Sequence, residues 1–354
     1  MDSSQKGIEE NNVGDFVGRR SQVEEAGERS STLLSWCSGR EGKSQISIQD
    51  YQTGELYANI PGVKLYRTQS FSTWTHVKEI PNTNLLISAY YSMSDSANFT
   101  IFDISTKNVK ETISFEELEG KAGYSEISVN APRHLMALIP LAGKTAYHLF
   151  DTYSQTLLRK TQWIPQFLYT KVSTLDISPD GEKIAIINEK GICVISDIIT
   201  NDCDFEYQIK IDYESKMIRC RWGEYGEPSL FLMYEDKLLN LLDVEKKRLM
   251  LKTNLYLDAR YPVTWIDKCP CDSNLLALSG DFVFLFDRRA PKTVKKFDSI
   301  HRDQINCVRW NPDGKLLATA ADDTYGKVFD LRMEKVIFEE RTADLGWAYS
   351  VCFL

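Results

Sequence analysis

Residues 301–332 read HRDQINCVRWNPDGKLLATAADDTYGKVFDLR. Three short strand patterns lie inside this stretch. Ile305, Val308 and Trp310 form one apolar run. Asn311-Pro312-Asp313-Gly314 stops it, because Pro312 presets φ and Gly314 accepts positive φ. Leu316 to Ala321 is a second run of small apolar residues. After the polar turn Asp322 to Thr324, Lys327-Val328-Phe329 starts a third strand that Asp330 closes. Short, evenly spaced strands with turn chemistry between them predict an antiparallel sheet.

Working outward, the same pattern recurs. The clearest marker is the Asp that ends each third strand: Asp50, Asp103, Asp151, Asp197, Asp243, Asp287 and Asp330. The spacings are 53, 48, 46, 46, 44 and 43 residues. Ahead of each Asp stands a second-strand pattern, starting at Leu33, Leu85, Leu135, Ile184, Leu230, Leu275 and Leu316. First-strand patterns begin near Val77, Ile127, Val172, Met217, Val263 and Ile305. One first strand is missing at the start of the chain, and the far end supplies it. Ala348 to Phe353 matches Ile305 to Trp310, with Val351 on Val308 and Phe353 on Trp310. A last strand entering the first sheet closes a ring and leaves no long open edge.

A period of about 40 to 45 residues with four strands per unit marks a propeller. The repeats resemble those of WD-repeat β-propellers, most fully in the last repeat and over roughly residues 31–354. In that family a His, a Ser or Thr, an Asp and a Trp form a hydrogen-bonded structural set. The resemblance assigns His301, Thr319 and Asp323 to it, with Phe329 in the place of the Trp. Phe has no N–H donor, so at most three members connect. None of the repeats has the Trp-Asp dipeptide, and His76 is the one other His just ahead of a first strand. The expected fold is all-β: a seven-bladed β-propeller of WD-repeat type, its ring closed by the C-terminal strand joining the first blade. Residues 1–30 are polar and without apolar periodicity, and read as a disordered tail.

Bulk properties narrow the function classes. At 354 residues the chain can bury a large core. Its net charge of −8 argues against non-specific nucleic-acid binding. No apolar run approaches the ~20 residues that span a bilayer, and the first residues lack a signal-peptide core. The eight cysteines are scattered, and Cys193, Cys220, Cys307 and Cys352 fall in strand patterns. They read as reduced thiols of a cytoplasmic or nuclear protein.

Candidate chemistry is sparse. Gly42-Lys43-Ser44 ends like a phosphate loop, but Cys37 stands where the earlier Gly belongs and a strand pattern follows. A polar hairpin loop is expected. Cys269-Pro270-Cys271 is too tight for a usual zinc pair and reads as thiols in a solvent loop. Asn98-Phe99-Thr100 is a glycosylation sequon on a strand pattern. No nucleophile elbow is present. No catalytic residue, metal or cofactor is expected.

Two loops suggest partner docking. Asp287-Arg288-Arg289 and Asp330-Leu331-Arg332 both read Asp-x-Arg after a third strand. In WD-repeat proteins such endings are similar to the box that docks substrate receptors onto the adaptor of cullin-type ubiquitin ligases. The plainer alternative is an Arg that pairs with a nearby acid and firms the loop. Arg288-Arg289 is also similar to the paired arginines of phosphoinositide-binding propellers, although Asp287 breaks the Phe-Arg-Arg-Gly context. Trp74, Tyr124, Trp163, Tyr325 and Trp347 are expected in turns of one face, with Arg289 and Arg332 on the other. Three functions stay open: a monomeric, non-catalytic scaffold within a multiprotein complex, a ubiquitin-ligase substrate receptor, and a propeller enzyme acting in its central channel. Converging carboxylates or His in a polar channel would favour the enzyme. An apolar channel with an exposed aromatic patch would favour the scaffold.

Overall fold

Each repeat folds into one sheet because each unit alone cannot bury both of its faces. The structure is a computed structural model that describes residues 33–40, 43–63, 76–80, 85–90, 97–115, 124–130, 132–140, 146–154, 156–161, 164, 167, 170–208, 217–223, 227–234, 238–255, 260–290, 294–341 and 347–354. The expected tail at 1–30 lies outside these residues, as do Gly42, Trp74 and Trp163.

The strands come in chain order. β1 (Leu33–Arg40), β2 (Lys43–Asp50) and β3 (Leu56–Val63) open the first sheet. β4 (His76–Ile80), β5 (Leu85–Tyr90), β6 (Ala97–Asp103) and β7 (Asn108–Phe115) make the second. β8 (Tyr124–Asn130), β9 (Leu135–Pro140), β10 (Tyr147–Asp151) and β11 (Thr156–Thr161) make the third. β12 (Val172–Ile177), β13 (Lys183–Asn188), β14 (Ile192–Asp197) and β15 (Cys203–Gln208) follow. The fifth sheet holds β16 (Met217–Trp222), β17 (Ser229–Tyr234), β18 (Leu238–Asp243) and β19 (Arg248–Asn254). The sixth holds β20 (Trp265–Lys268), β21 (Leu275–Ser279), β22 (Val283–Asp287) and β23 (Val294–Phe297). The seventh holds β24 (Ile305–Trp310), β25 (Leu316–Ala321), β26 (Tyr325–Asp330) and β27 (Lys335–Arg341). β28 (Trp347–Phe353) returns to the first sheet and pairs antiparallel with β1, Leu34 opposite Phe353 and Trp36 opposite Val351. The arrangement is an all-β propeller. Its first strands touch in turn, β4 to β8, β12, β16, β20, β24, β28 and back to β4. No helix among the described residues is long and apolar enough to cross a membrane.

The recurring Asp ends every third strand, and its role is local. Its carboxylate accepts backbone N–H groups of the following turn. Asp50 takes those of Gln52 and Thr53 at 2.8 and 2.9 Å, Asp197 those of Ile199 and Thr200 at 2.8 Å, and Asp330 those of Arg332 and Met333 at 2.8 Å. Asp103, Asp151, Asp243 and Asp287 cap their turns in the same way. Four residues after the Asp the chain turns left-handed: Gly54, Lys107, Asn201, Lys247 and Glu334 have φ between 52° and 75°. The carboxylate holds a turn that an L-residue adopts at a cost.

The core lies between neighbouring sheets. Leu317, Val308, Val328 and Phe329 of the seventh sheet pack with Trp36, Leu34 and Phe353 of the first, and with Trp265 and Ala277 of the sixth. Gly326 makes this joint possible: a β-carbon there would overlap the Trp36 indole.

Several expectations need correction. Tyr124, Tyr325 and Trp347 do not lie in turns. Each is the first residue of a strand, paired with Pro140, Arg341 and Gly39 respectively. Aromatic residues fit a pleated ladder. His76 likewise starts β4 instead of preceding it. Cys269 is buried in the core, and only Cys271 of that pair is exposed. Lys43-Ser44 opens β2 across a hairpin from Arg40, and Asn98 to Thr100 lies in β6.

Candidate functional site

Two sites can be built from the residues upward. One is in the channel and one is on the face formed by the first-to-second and third-to-fourth strand turns.

The channel is filled by side chains of first strands. Glu126 of β8 accepts from Arg219 Nη1 at 2.7 Å and from Arg221 Nη1 at 3.2 Å, both on β16, two sheets away. Arg221 also lies 3.8 Å from Asp176 of β12. Arg309 of β24 donates to Asp267 of β20 at 3.0 Å. All three guanidiniums gather round the Trp265 indole, at 4.1, 5.7 and 5.3 Å for Arg219, Arg221 and Arg309. The Glu126 side chain is 2% exposed and those of Arg219 and Arg221 are 7% and 6%, so the axis is closed to water at this level. Burial alone would raise the Glu126 carboxyl. The two guanidiniums overcome that and hold it below the ordinary carboxylate range. A carboxylate held ionised between two cations is poorly suited to donate a proton. The channel therefore matches neither expectation: it is polar and buried, with Glu126 paired to two guanidiniums while Arg219 Nε, Arg221 Nη2 and Arg309 Nε have no hydrogen-bond partner among the described residues.

The same strands show a repeated joint between sheets. The Trp222 backbone N–H donates to Asp176 and its indole Nε1 to the Asp176 carbonyl, both at 2.9 Å. Trp310 repeats this on Asp267 at 2.9 and 3.3 Å. Sequence reasoning missed this set. Its trace was the dipeptide Arg221-Trp222 recurring as Arg309-Trp310 at the end of two first strands.

The seventh sheet holds the expected cluster. His301 Nδ1 lies 3.0 Å from both Asp323 oxygens and Nε2 lies 2.7 Å from Thr319 Oγ1. Burial lowers the His301 imidazole, with Asp323 opposing. Phe329 has no polar group to offer and packs against Phe297, ring centroids 4.8 Å apart and planes tilted by 56°. In the sixth sheet Leu278 stands at the register position of Thr319, opposite Phe284.

On the turn face, a groove of about 520 Å³ runs between the fifth and sixth sheets. Pro228, Leu241, Met250 and Leu251 line its apolar part. Arg288 forks onto Glu227 at 2.8 and 2.6 Å and also donates to Asn274. Arg289 donates to Asp287 at 2.7 Å and to Asp272 at 2.8 Å. Those partners raise the Arg289 guanidinium further and hold the Asp287 carboxyl low, the Arg289 hydrogen bond being the largest cause. Arg332 is exposed, and among the described residues its guanidinium makes no ion pair. Met250 and Met333 stand 55% and 45% exposed on this side, and Tyr153 78%. The two Asp-x-Arg loops thus differ: one arginine is held by two carboxylates and the other is open. Tyr325 and Trp347 are half-buried. The side chain of Tyr124 lies outside the described residues.

Among the described residues no group of three His, Cys, Asp or Glu side chains is placed to hold a metal. Cys193, Cys220 and Cys307 are buried thiols raised by desolvation, which removes nucleophilic thiolate. The family model described as WD domain, G-beta repeat matches residues 292–330. No curated protein matches the chain.

Proposed function

We propose that this WD-repeat β-propeller is a protein-interaction scaffold, a ring of seven blades shut by its C-terminal strand, that presents the turn face of blades five to seven to a protein partner. The observation that carries this is the contrast between a sealed axis and a furnished face. Glu126, Arg219 and Arg221 fill the channel, while the groove with Met250 and the open Arg332 and Met333 face solvent. Apolar side chains with an adjacent guanidinium suit recognition of a protein surface. The rigid ring keeps these turns in constant relation without any rearrangement of the core.

The narrower reading is docking onto a ubiquitin-ligase adaptor. The difference between the two Asp-x-Arg loops favours Arg332 for that contact, because Arg289 would first have to leave Asp272 and Asp287. Affinity purification of the wild type, Arg332→Ala and Arg289→Ala from cells, with mass spectrometry, tests both levels. Loss of the same partner set in Arg332→Ala, at unchanged thermal stability, is expected. A partner set identical in all three proteins would overturn the placement on this face. A set that changes but contains no ligase adaptor would overturn the narrower reading.

A further inference from the structure

The turn between β20 and β21 carries two thiols that the scaffold reading does not use. Cys269 is 3% exposed and Cys271 is exposed, with Pro270 bending the chain between them. Both sulfurs rest against the same point of the next blade. A β-carbon on Gly314 would meet Cys269 Sγ at 3.0 Å and Cys271 Sγ at 3.3 Å, and Gly314 has φ +70°. No side chain stands at the point the two sulfurs share. Cys271 Sγ also points toward the Pro312 carbonyl at 3.7 Å, so the thiols are lodged in the notch of the Asn311–Gly314 turn.

We propose that Cys269 and Cys271 are a reversible redox pair, a thiol-modification site that closes to a disulfide when a small-molecule disulfide such as oxidised glutathione is abundant. Cys271, the exposed thiol, loses its proton and attacks one sulfur of the oxidant. A mixed disulfide forms and one glutathione thiolate leaves, taking up the proton. Cys269 then gives up its proton and attacks the Cys271 sulfur. The intraloop disulfide forms, and a second glutathione leaves as its thiol. The two protein thiols lose two electrons and two protons, and the oxidant gains both. Closing two cysteines one residue apart strains the bridge, and strained, accessible disulfides are the readily reduced, regulatory kind. Burial raises the Cys269 thiol, while the Cys271 and Asp272 backbone N–H groups aimed at its sulfur oppose this and would steady the thiolate as it attacks.

The pair sits at the lip of the groove. Asp272 and Asn274 belong to the same turn, and they hold Arg289 and Arg288. Oxidation would draw Asp272 with the closing loop and change the grip on Arg289. This consequence rests on the docking reading, whereas the thiol chemistry does not.

The test uses the full chain, reduced and then incubated with oxidised glutathione, quenched in acid and alkylated in denaturant. Peptide mapping should show the peptide with Cys269 and Cys271 lighter by two hydrogens and unalkylated until dithiothreitol is added. Cys269→Ser should instead leave glutathione attached to Cys271, and Cys271→Ser should leave Cys269 fully alkylatable. Phenylarsine oxide at one equivalent should protect both thiols in the wild type and neither in the single variants. A wild type that holds glutathione on Cys271 with Cys269 still alkylatable, and shows no arsenical protection, overturns the pair. If the disulfide forms but partner recovery is the same before and after oxidation, the chemistry stands and the link to the groove is overturned.

Discussion

The channel cluster and the His301 cluster are both buried and polar, but they are built in opposite ways. His301, Thr319 and Asp323 come from one blade within 22 residues, and the partners are neutral or singly charged. Glu126 and Arg219 are 93 residues apart and meet across the axis as full charges. The first cluster tightens one turn of one blade. The second ties blades that are not neighbours. Burial raises the stakes of both, because an unpaired group in a dry site recovers nothing from water.

The largest expected effect lies in the channel. Arg219→Ala leaves Glu126 with a single cation and opens space beside Trp265; it should cost about 3 to 5 kcal/mol in urea unfolding. A loss near 1 kcal/mol would mean that Arg221 alone satisfies the carboxylate, and the strut would be weaker than the geometry implies.

The next effect is in the blade. Thr319→Val keeps the shape and strands His301 Nε2, at a cost of about 1 to 3 kcal/mol by the same measurement. An unchanged midpoint would show that the His301 cluster is ornamental to this fold.

The two clusters should also separate by pH. The folded His301 stays below its ordinary value, so the unfolded state takes up a proton first. Its contribution is complete above about pH 6.5 and is lost as pH falls toward the folded value. His148, lowered to about 4 by burial and Lys160, acts in the same window. Glu126 and Asp323 are held low, so their stability is present above the ordinary carboxylate range and lost only beneath about pH 4. Lys327 and Glu339 also face His301. His301→Gln should flatten part of the fall in stability that begins as pH drops below about 6.5, with His148 keeping its share, while Glu126→Gln should flatten only the limb below about pH 4. Identical profiles for the two variants would erase the distinction.

The smallest effect belongs to the surface. Arg289→Ala removes several carboxylate contacts from an exposed, solvent-screened side chain and should leave the urea midpoint unchanged within repeat error. A lowered midpoint would mean that the Asp272 turn depends on that arginine.

The blade pattern was legible because its causes are local. Asp330 caps its own turn, Pro312 and Gly314 shape theirs, and alternation sets which strand face is buried. His301, Thr319 and Asp323 were readable as a set only through the resemblance to WD repeats. What lay hidden had distant causes. Nothing near Glu126 announces Arg219, and Arg221-Trp222 gains meaning only when Asp176 of the preceding blade stands beside it. Tyr325 and Trp347 were misplaced for a related reason, since the ladder that claims them is completed by Arg341 and Gly39. The two Asp-x-Arg loops look alike in the chain. Only the neighbouring turn, with Asp272 within reach of one and no such acid described beside the other, tells them apart.

The amino-acid order alone determined the repeat length, the turns and the strand that returns to the start, because each follows from φ preferences, period-two burial and spacing. The folded molecule decided which charges meet in the axis, which arginine stays open and which thiols share a notch. Those outcomes depend on contacts between blades, and such contacts exist only after the ring has formed.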